Sequence, residues 1–139
     1  MKRSKLLNSN ISHIIAKAGH FDGLTVCDAG LPIPEGVQRI DIAVSEGVPS
    51  FMDTVKAVTS ELEIESVELA EEFKTISPKL HKKFVSYLEK LATERRKSIS
   101  IEYVPHEIFK ANTEQSKAIV RTGEFTPYAN VTFKSGVVF

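Results

Sequence analysis

The chain has 139 residues, enough for one useful core but too few for a nucleotide domain joined to a separate substrate domain. Eighteen basic and eighteen acidic side chains cancel, which removes the positive footprint of a nucleic-acid or anionic-membrane binder and favours a small, weakly charged ligand. The single cysteine, Cys27, excludes an internal disulfide and a cysteine zinc site, and reads as a small buried hydrophobe rather than a reactive thiol.

From the amino end, Met1-Lys2-Arg3-Ser4-Lys5 leads into Asn8-Ser9-Asn10 rather than an apolar signal segment. No apolar run approaches the roughly 20 residues of a membrane span. A soluble, cytoplasmic protein without membrane insertion is expected. Asn8, Ser9 and Asn10 offer caps for a helix whose apolar positions Ile11, Ile14, Ile15 and Ala18 follow the 3.6-residue period, and Gly19 closes it. His13 falls off that stripe. Leu24 to Cys27 is a short run of strand character, and Gly30, Pro32 and Pro34 force a stiff exit from it. This order places His20 on the connection into a strand and Asp28 at the strand's carboxyl end, where open α/β sheets tend to hold ligands. The two are expected to face one pocket.

Val37 to Val44 alternates in part, as a strand does, with Ile40, Ile42 and Val44 on one side. Ser50 can cap the next helix, with Asp53 returning the bond three residues on and Phe51, Val55 and Val58 on its buried face. Glu61 to Phe73 mixes strand and helix formers and reads as strand in its first half. Pro78 opens the longest helix, with Leu80, Phe84, Tyr87, Leu88 and Leu91 inward and lysines and glutamates outward. His81, beside Lys82 and Lys83, reads as solvated. Ser98 to Val104 alternates as a strand that Pro105 stops, and His106 follows at the start of a helical stretch from Glu107 to Lys117. Ile119–Glu124 and Val131–Phe139 read as two last strands, joined by a connection that Pro127 stiffens. Strands alternating with helices, with no internal repeat, argue for one α/β domain over residues 1–139, its sheet covered on both faces.

The polar residues on predicted turns are His20, Asp22, Asp28, His106, Tyr128 and Asn130. No glycine-rich phosphate loop is present, and the candidate metal ligands lie far apart without the helical His-x-x-x-His spacing, so neither a cofactor nor a metal is expected. Histidine titrates nearest to working pH, and a hydroxylated ligand suits Tyr128 and Asn130. Such a set fits hemiacetal chemistry, in which one group removes the anomeric proton while another protonates the ring oxygen. The plainer reading, Asp28 as a turn former and Tyr128 as an edge residue, is equally compatible with spacing alone.

Resemblance separates these readings. Gly19-His20, Val26-Cys27-Asp28-Ala29-Gly30-Leu31-Pro32-Ile33-Pro34, Gly47-Val48-Pro49-Ser50-Phe51, Arg121-Thr122-Gly123-Glu124 and Pro127-Tyr128-Ala129-Asn130 together resemble the RbsD/FucU family of sugar mutarotases from Leu7 to Phe139. Asp28-Ala29-Gly30-Leu31-Pro32 resembles the ribose branch rather than the fucose branch. The resemblance implies a three-layer αβα sandwich with a mainly parallel or mixed sheet. It implies interconversion of β-pyranose and β-furanose D-ribose, upstream of ribokinase and downstream of a ribose transporter. His20 matches the family's proton donor, Asp28 and His106 its sugar-binding positions, and Tyr128, Ala129 and Asn130 its final binding segment. His106 is the expected base. The family's ring-shaped homo-oligomers, decamers of two pentamers with sites at subunit contacts, are implied as well. A non-catalytic ribose-binding accessory to the transporter, a mutarotase for another sugar such as L-fucose, and a metal-dependent enzyme are the alternatives.

Overall fold

An apolar run of a few residues with turn formers at both ends has to find partners on each side. In the computed structural model, which describes residues 1–139, Gly23–Cys27 forms β1 and is buried along its whole length. Its partners come from Gln38–Asp41 (β2), Ile64–Ala70 (β3), Ser100–Val104 (β4), Ser116–Arg121 (β5) and Val131–Ser135 (β6). The sheet runs β2-β5-β1-β6-β3-β4. Strand β6 is antiparallel to both β1 and β3, and every other pairing is parallel. The sheet is therefore mixed.

Five helices accompany it: α1 (Ser9–Lys17), α2 (Phe51–Thr59), α3 (Glu71–Ile76), α4 (Pro78–Arg95) and α5 (His106–Asn112), the last followed by a 3₁₀ turn at Thr113–Gln115. The caps expected from sequence are made. Asn8 Oδ1 accepts from Ile11 N at 2.9 Å, and Ser50 Oγ accepts from Asp53 N at 3.1 Å while donating to the Asp53 carboxylate at 2.7 Å. Because side chains alternate along a strand, Leu24 and Val26 face one layer and Thr25 and Cys27 the other. The first layer holds Ile11 of α1, Phe51 and Val55 of α2, Phe73 of α3 and Phe84 of α4. The second is thinner, with Phe109 of α5 packing on Cys27, Ala70 and Ile119. This is the expected αβα sandwich with unequal outer layers. No helix is long and apolar enough to cross a membrane.

Several elements differ from their sequence reading. Strand β3 continues through Glu68, Leu69 and Ala70, because burial between β6 and β4 outweighs their helix propensity. The helix after His106 stops at Asn112, and its predicted last residues instead begin β5, which pairs with β1. His81 is not solvated: it is 9 % exposed and its Nε2 lies 2.7 Å from the Tyr103 hydroxyl. Burial among Phe73 and Tyr103 lowers its pKa, with Lys74 adding to the effect.

The Arg121-Thr122-Gly123-Glu124 segment ties sheet to loop. Gly123 N donates to Pro49 O at 2.9 Å and its carbonyl accepts from Gly47 N at 2.6 Å. A methyl group on Gly123 would sit 2.5 Å from Val48 O and 2.7 Å from Val48 N, and would also meet Ser45 O. Those are backbone atoms that cannot swing aside. Gly123→Ala should cost about 1–3 kcal/mol through overpacking, read as a lower denaturant midpoint. An unchanged midpoint would show that the Ser45–Pro49 loop is free to shift.

Candidate functional site

Five parallel strands, β1 to β5, end on the same side of the sheet, and the chain's chemistry collects there. Asp28 follows β1, His106 opens α5 directly after β4, Arg121 closes β5, and Tyr128 lies in the turn that leads into β6. These residues, with Glu124 and Phe125, line an open cleft of about 520 Å³. That size suits a small polar ligand.

Asp28 is braced from both neighbouring strands. Immediately before β6, the fully buried Asn130 accepts from Asp28 N through Oδ1 at 2.8 Å and donates from Nδ2 to Asp28 Oδ2 at 3.2 Å, a pairing that fixes the amide orientation. From the end of β5 and the residues after it, Thr122 Oγ1 donates to Cys27 O at 2.7 Å, Arg121 Nε donates to Ala29 O at 3.0 Å, and Glu124 O accepts from Ala29 N at 2.8 Å. Gly30 N donates to Asp28 Oδ1 at 2.9 Å. Despite these donors, desolvation raises the Asp28 pKa, with the backbone N–H groups, Asn130 and the His106 charge pulling the other way. The adjacent Cys27 thiol is pushed up to about 12, mainly by burial and then by the Asp28 charge, so it stays protonated and inert as expected.

His106 is held by packing. Its ring lies edge-on to Tyr128 at 4.8 Å between centroids and parallel to Phe109 at 6.4 Å. Its backbone N–H donates to Glu72 at 2.9 Å. Nδ1 is buried without a hydrogen bond, which leaves Nε2 as the nitrogen a ligand in the cleft can reach. Tyr128 adopts φ +62°, a conformation costly for a bulky residue, and its carbonyl accepts from Asn130 N at 2.8 Å. The turn thereby sends Tyr128 into the cleft and Asn130 beneath it. Ala129 is fully buried in the main core.

The structure thus brings Asp28, His106, Tyr128 and Asn130 together but leaves His20 out. His20 precedes β1 and Asp28 follows it, so five extended residues separate them, roughly 15 Å. The expectation that both face one pocket fails within a single chain. His20 is half-exposed and bonds Glu65 instead, Nε2 to Oε2 at 2.5 Å. Spacing in sequence misled because a strand carries its two ends to opposite edges of the sheet. Arg121, Glu124 and Phe125 received no individual role from the sequence. The signal for them was a charged pair at the end of an apolar strand run.

Burial raises the proton affinity of Asp28 in the folded chain, so its ionisation costs stability as pH climbs past the ordinary carboxylate value of 3.8. Asp28→Asn escapes that cost. Its stability relative to the parent should improve as pH rises past the ordinary carboxylate value and level off once the folded-state carboxyl is ionised, measured by denaturation at each pH. A difference independent of pH would contradict the desolvated carboxylate.

The chain is similar along its whole length to known proteins. The D-ribose pyranase of Maridesulfovibrio salexigens is 68% identical over 139 residues, all of both chains, and that of Vibrio parahaemolyticus 60% over the same span. The structure of Bacillus subtilis RbsD complexed with D-ribose superposes with a TM-score of 0.85 at 42% identity, covering all of both chains. The sequence model of the RbsD / FucU transport protein family matches residues 1–138. The chain belongs to that family.

Proposed function

We propose that this protein is a D-ribose pyranase, an intramolecular isomerase that interconverts the β-pyranose and β-furanose forms of D-ribose by opening and reclosing the ring. The observation that carries this reading is the cleft itself, where Asp28, His106 and Tyr128 converge in a chain 42% identical throughout to a ribose-bound relative. No cofactor enters the scheme. His106 Nε2 takes the proton of the anomeric hydroxyl, an acid protonates the ring oxygen, and the bond between the anomeric carbon and that oxygen breaks to leave the open-chain aldehyde. Attack by a different hydroxyl closes the five-membered ring, with the proton roles reversed. Asp28 accepts from sugar hydroxyls, its orientation fixed by Asn130. Acid–base help of this kind contributes about 10²–10⁴ in rate.

His20 is the proposed acid, and it reaches the sugar from a second copy of the chain. An acid must come within hydrogen-bond reach of the atom it protonates, and a chain's own His20 lies a strand's length from its own cleft. A ring-shaped homo-oligomer, a decamer of two pentamers, fits this need. The exposed aromatics are consistent with it: Phe21 beside His20 and Phe125 at the cleft are 56% and 62% exposed. The furanose product would pass to ribokinase in the cytoplasm after uptake through a ribose transporter. An isolated chain, with a binding cleft and no second histidine, would match the alternative of a ribose-binding accessory protein.

Exchange NMR on equilibrated D-ribose tests this reading. The assembled protein should accelerate exchange between the β-pyranose and β-furanose anomeric signals, and His106→Ala should slow it by about a hundredfold or more. On dilution to a demonstrated monomer, exchange should vanish. Full exchange by a monomer would contradict the shared site, and line broadening without exchange in the assembled protein would favour the accessory role.

A further inference from the structure

His20 sits in a surface turn, yet the chain constrains it as though its orientation mattered. Gly19 N donates to Asp22 Oδ2 at 2.9 Å, Asp22 N donates to Gly19 O at 3.1 Å, and Ser135 Oγ donates to Gly19 O. The next residue, Phe21, adopts φ +64°, anchored by donation from its N–H to Ser135 O at 2.9 Å. That strained backbone lays the Phe21 ring against the imidazole at 4.1 Å between centroids and 29° between planes.

The sheet is also irregular beside this turn. Both register shifts in it fall at this edge. On β5 the pairing with β1 skips Lys117, whose amine lies 3.4 Å from Asp22. On β3 the pairing with β6 passes from Ile64–Ser135 to Ser66–Lys134 and skips Glu65. A bulge re-aims the side chain of its extra residue, and here the extra residue is the one bonded to His20 Nε2. Gly136 leaves the space for it, since a methyl group there would lie 3.3 Å from Glu65 N.

We propose that Glu65 is a positioning residue for His20. A glutamate carboxylate has no proton to give, so Nε2 carries the hydrogen of this bond and Nδ1 is the nitrogen left for the substrate. The cationic ring gives its Nδ1 proton to the sugar ring oxygen as the bond to the anomeric carbon breaks, and the neutral ring that remains keeps its proton on Nε2, held by Glu65. Reclosure returns a sugar hydroxyl proton to Nδ1. Glu65 thus decides which nitrogen exchanges protons, while Phe21 braces the ring's face. This inference rests on the reading that His20 is the acid.

The test compares Glu65→Gln, His20→Ala and the double variant by ribose exchange NMR, with D-ribose affinity from titration and ¹⁵N shifts of the His20 ring. Glu65→Gln should lose roughly ten- to a hundredfold in exchange, as when a histidine loses its carboxylate partner at a metal site, with affinity for ribose within about twofold. It should lose nothing further in the His20→Ala background. Parental exchange in Glu65→Gln, or a further loss in the double variant, would overturn the positioning role while leaving the cleft reading intact. Parental exchange in His20→Ala would instead remove His20 as the acid. In the unaltered protein, once the His20 ring is titrated to its neutral form, its nitrogens should report a single tautomer with the proton on Nε2. A ring averaging between tautomers would overturn the proposal even if Glu65→Gln failed to fold.

Discussion

The bond pair between Asn130 and Asp28 is the constraint on which the site depends. It joins the residue after β1 to the residue before β6, two central strands of the sheet, and uses both ends of one buried amide. Removing it would leave the half-buried Asp28 N–H without a partner and take one donor from the carboxylate, and an unsatisfied buried group costs about 1–3 kcal/mol. The contacts from Arg121, Thr122 and Glu124 hold Cys27 and Ala29, the residues on either side of Asp28. A carboxylate held this firmly, yet desolvated, is oriented before any ligand arrives. That is the condition under which polar groups act without reorganising.

The second constraint is topological. Parallel strands place all their carboxyl ends on one edge and all their amino ends on the other. The cleft occupies the first edge and the His20–Glu65 pair the second, where both of the sheet's register shifts also fall. In the proposed mechanism each edge holds half of the acid–base pair. The proposed association of copies through these edges would make one complete site from two incomplete ones, and would cover aromatic surface at Phe21 and Phe125 that is exposed in the single chain.

Much of the fold was legible in the sequence because its signals are local. The Asn8 and Ser50 caps, the α4 stripe from Phe84 to Leu91 and the buried run at Leu24 to Cys27 need only near neighbours to form. The differences came where distant contacts outweigh local preference. Glu68, Leu69 and Ala70 are strand because β6 and β4 flank them, and His81 is buried because Tyr103, 22 residues later, reaches its ring. At the site, the residue types at Asp28, His106 and Tyr128 pointed to acid–base chemistry on a hydroxylated ligand, and resemblance narrowed the ligand to a sugar. The separation of His20 from Asp28 was not legible, since a one-dimensional spacing of eight residues carries no record of which edge of a sheet each will occupy. The Glu65 bulge was hidden for the same reason, because it exists only in the pairing of β3 with β6.

The central claim is that each working site takes its acid from one copy and its cleft from another. Complementation tests it most directly: His20→Ala and His106→Ala chains, each inactive alone, are co-assembled and assayed for ribose exchange. The account predicts that activity returns at about a quarter of the sites, those pairing an intact His20 with an intact cleft by random mixing. Mixed assemblies that remain as inactive as their parents would contradict it and place both histidines' work within a single chain.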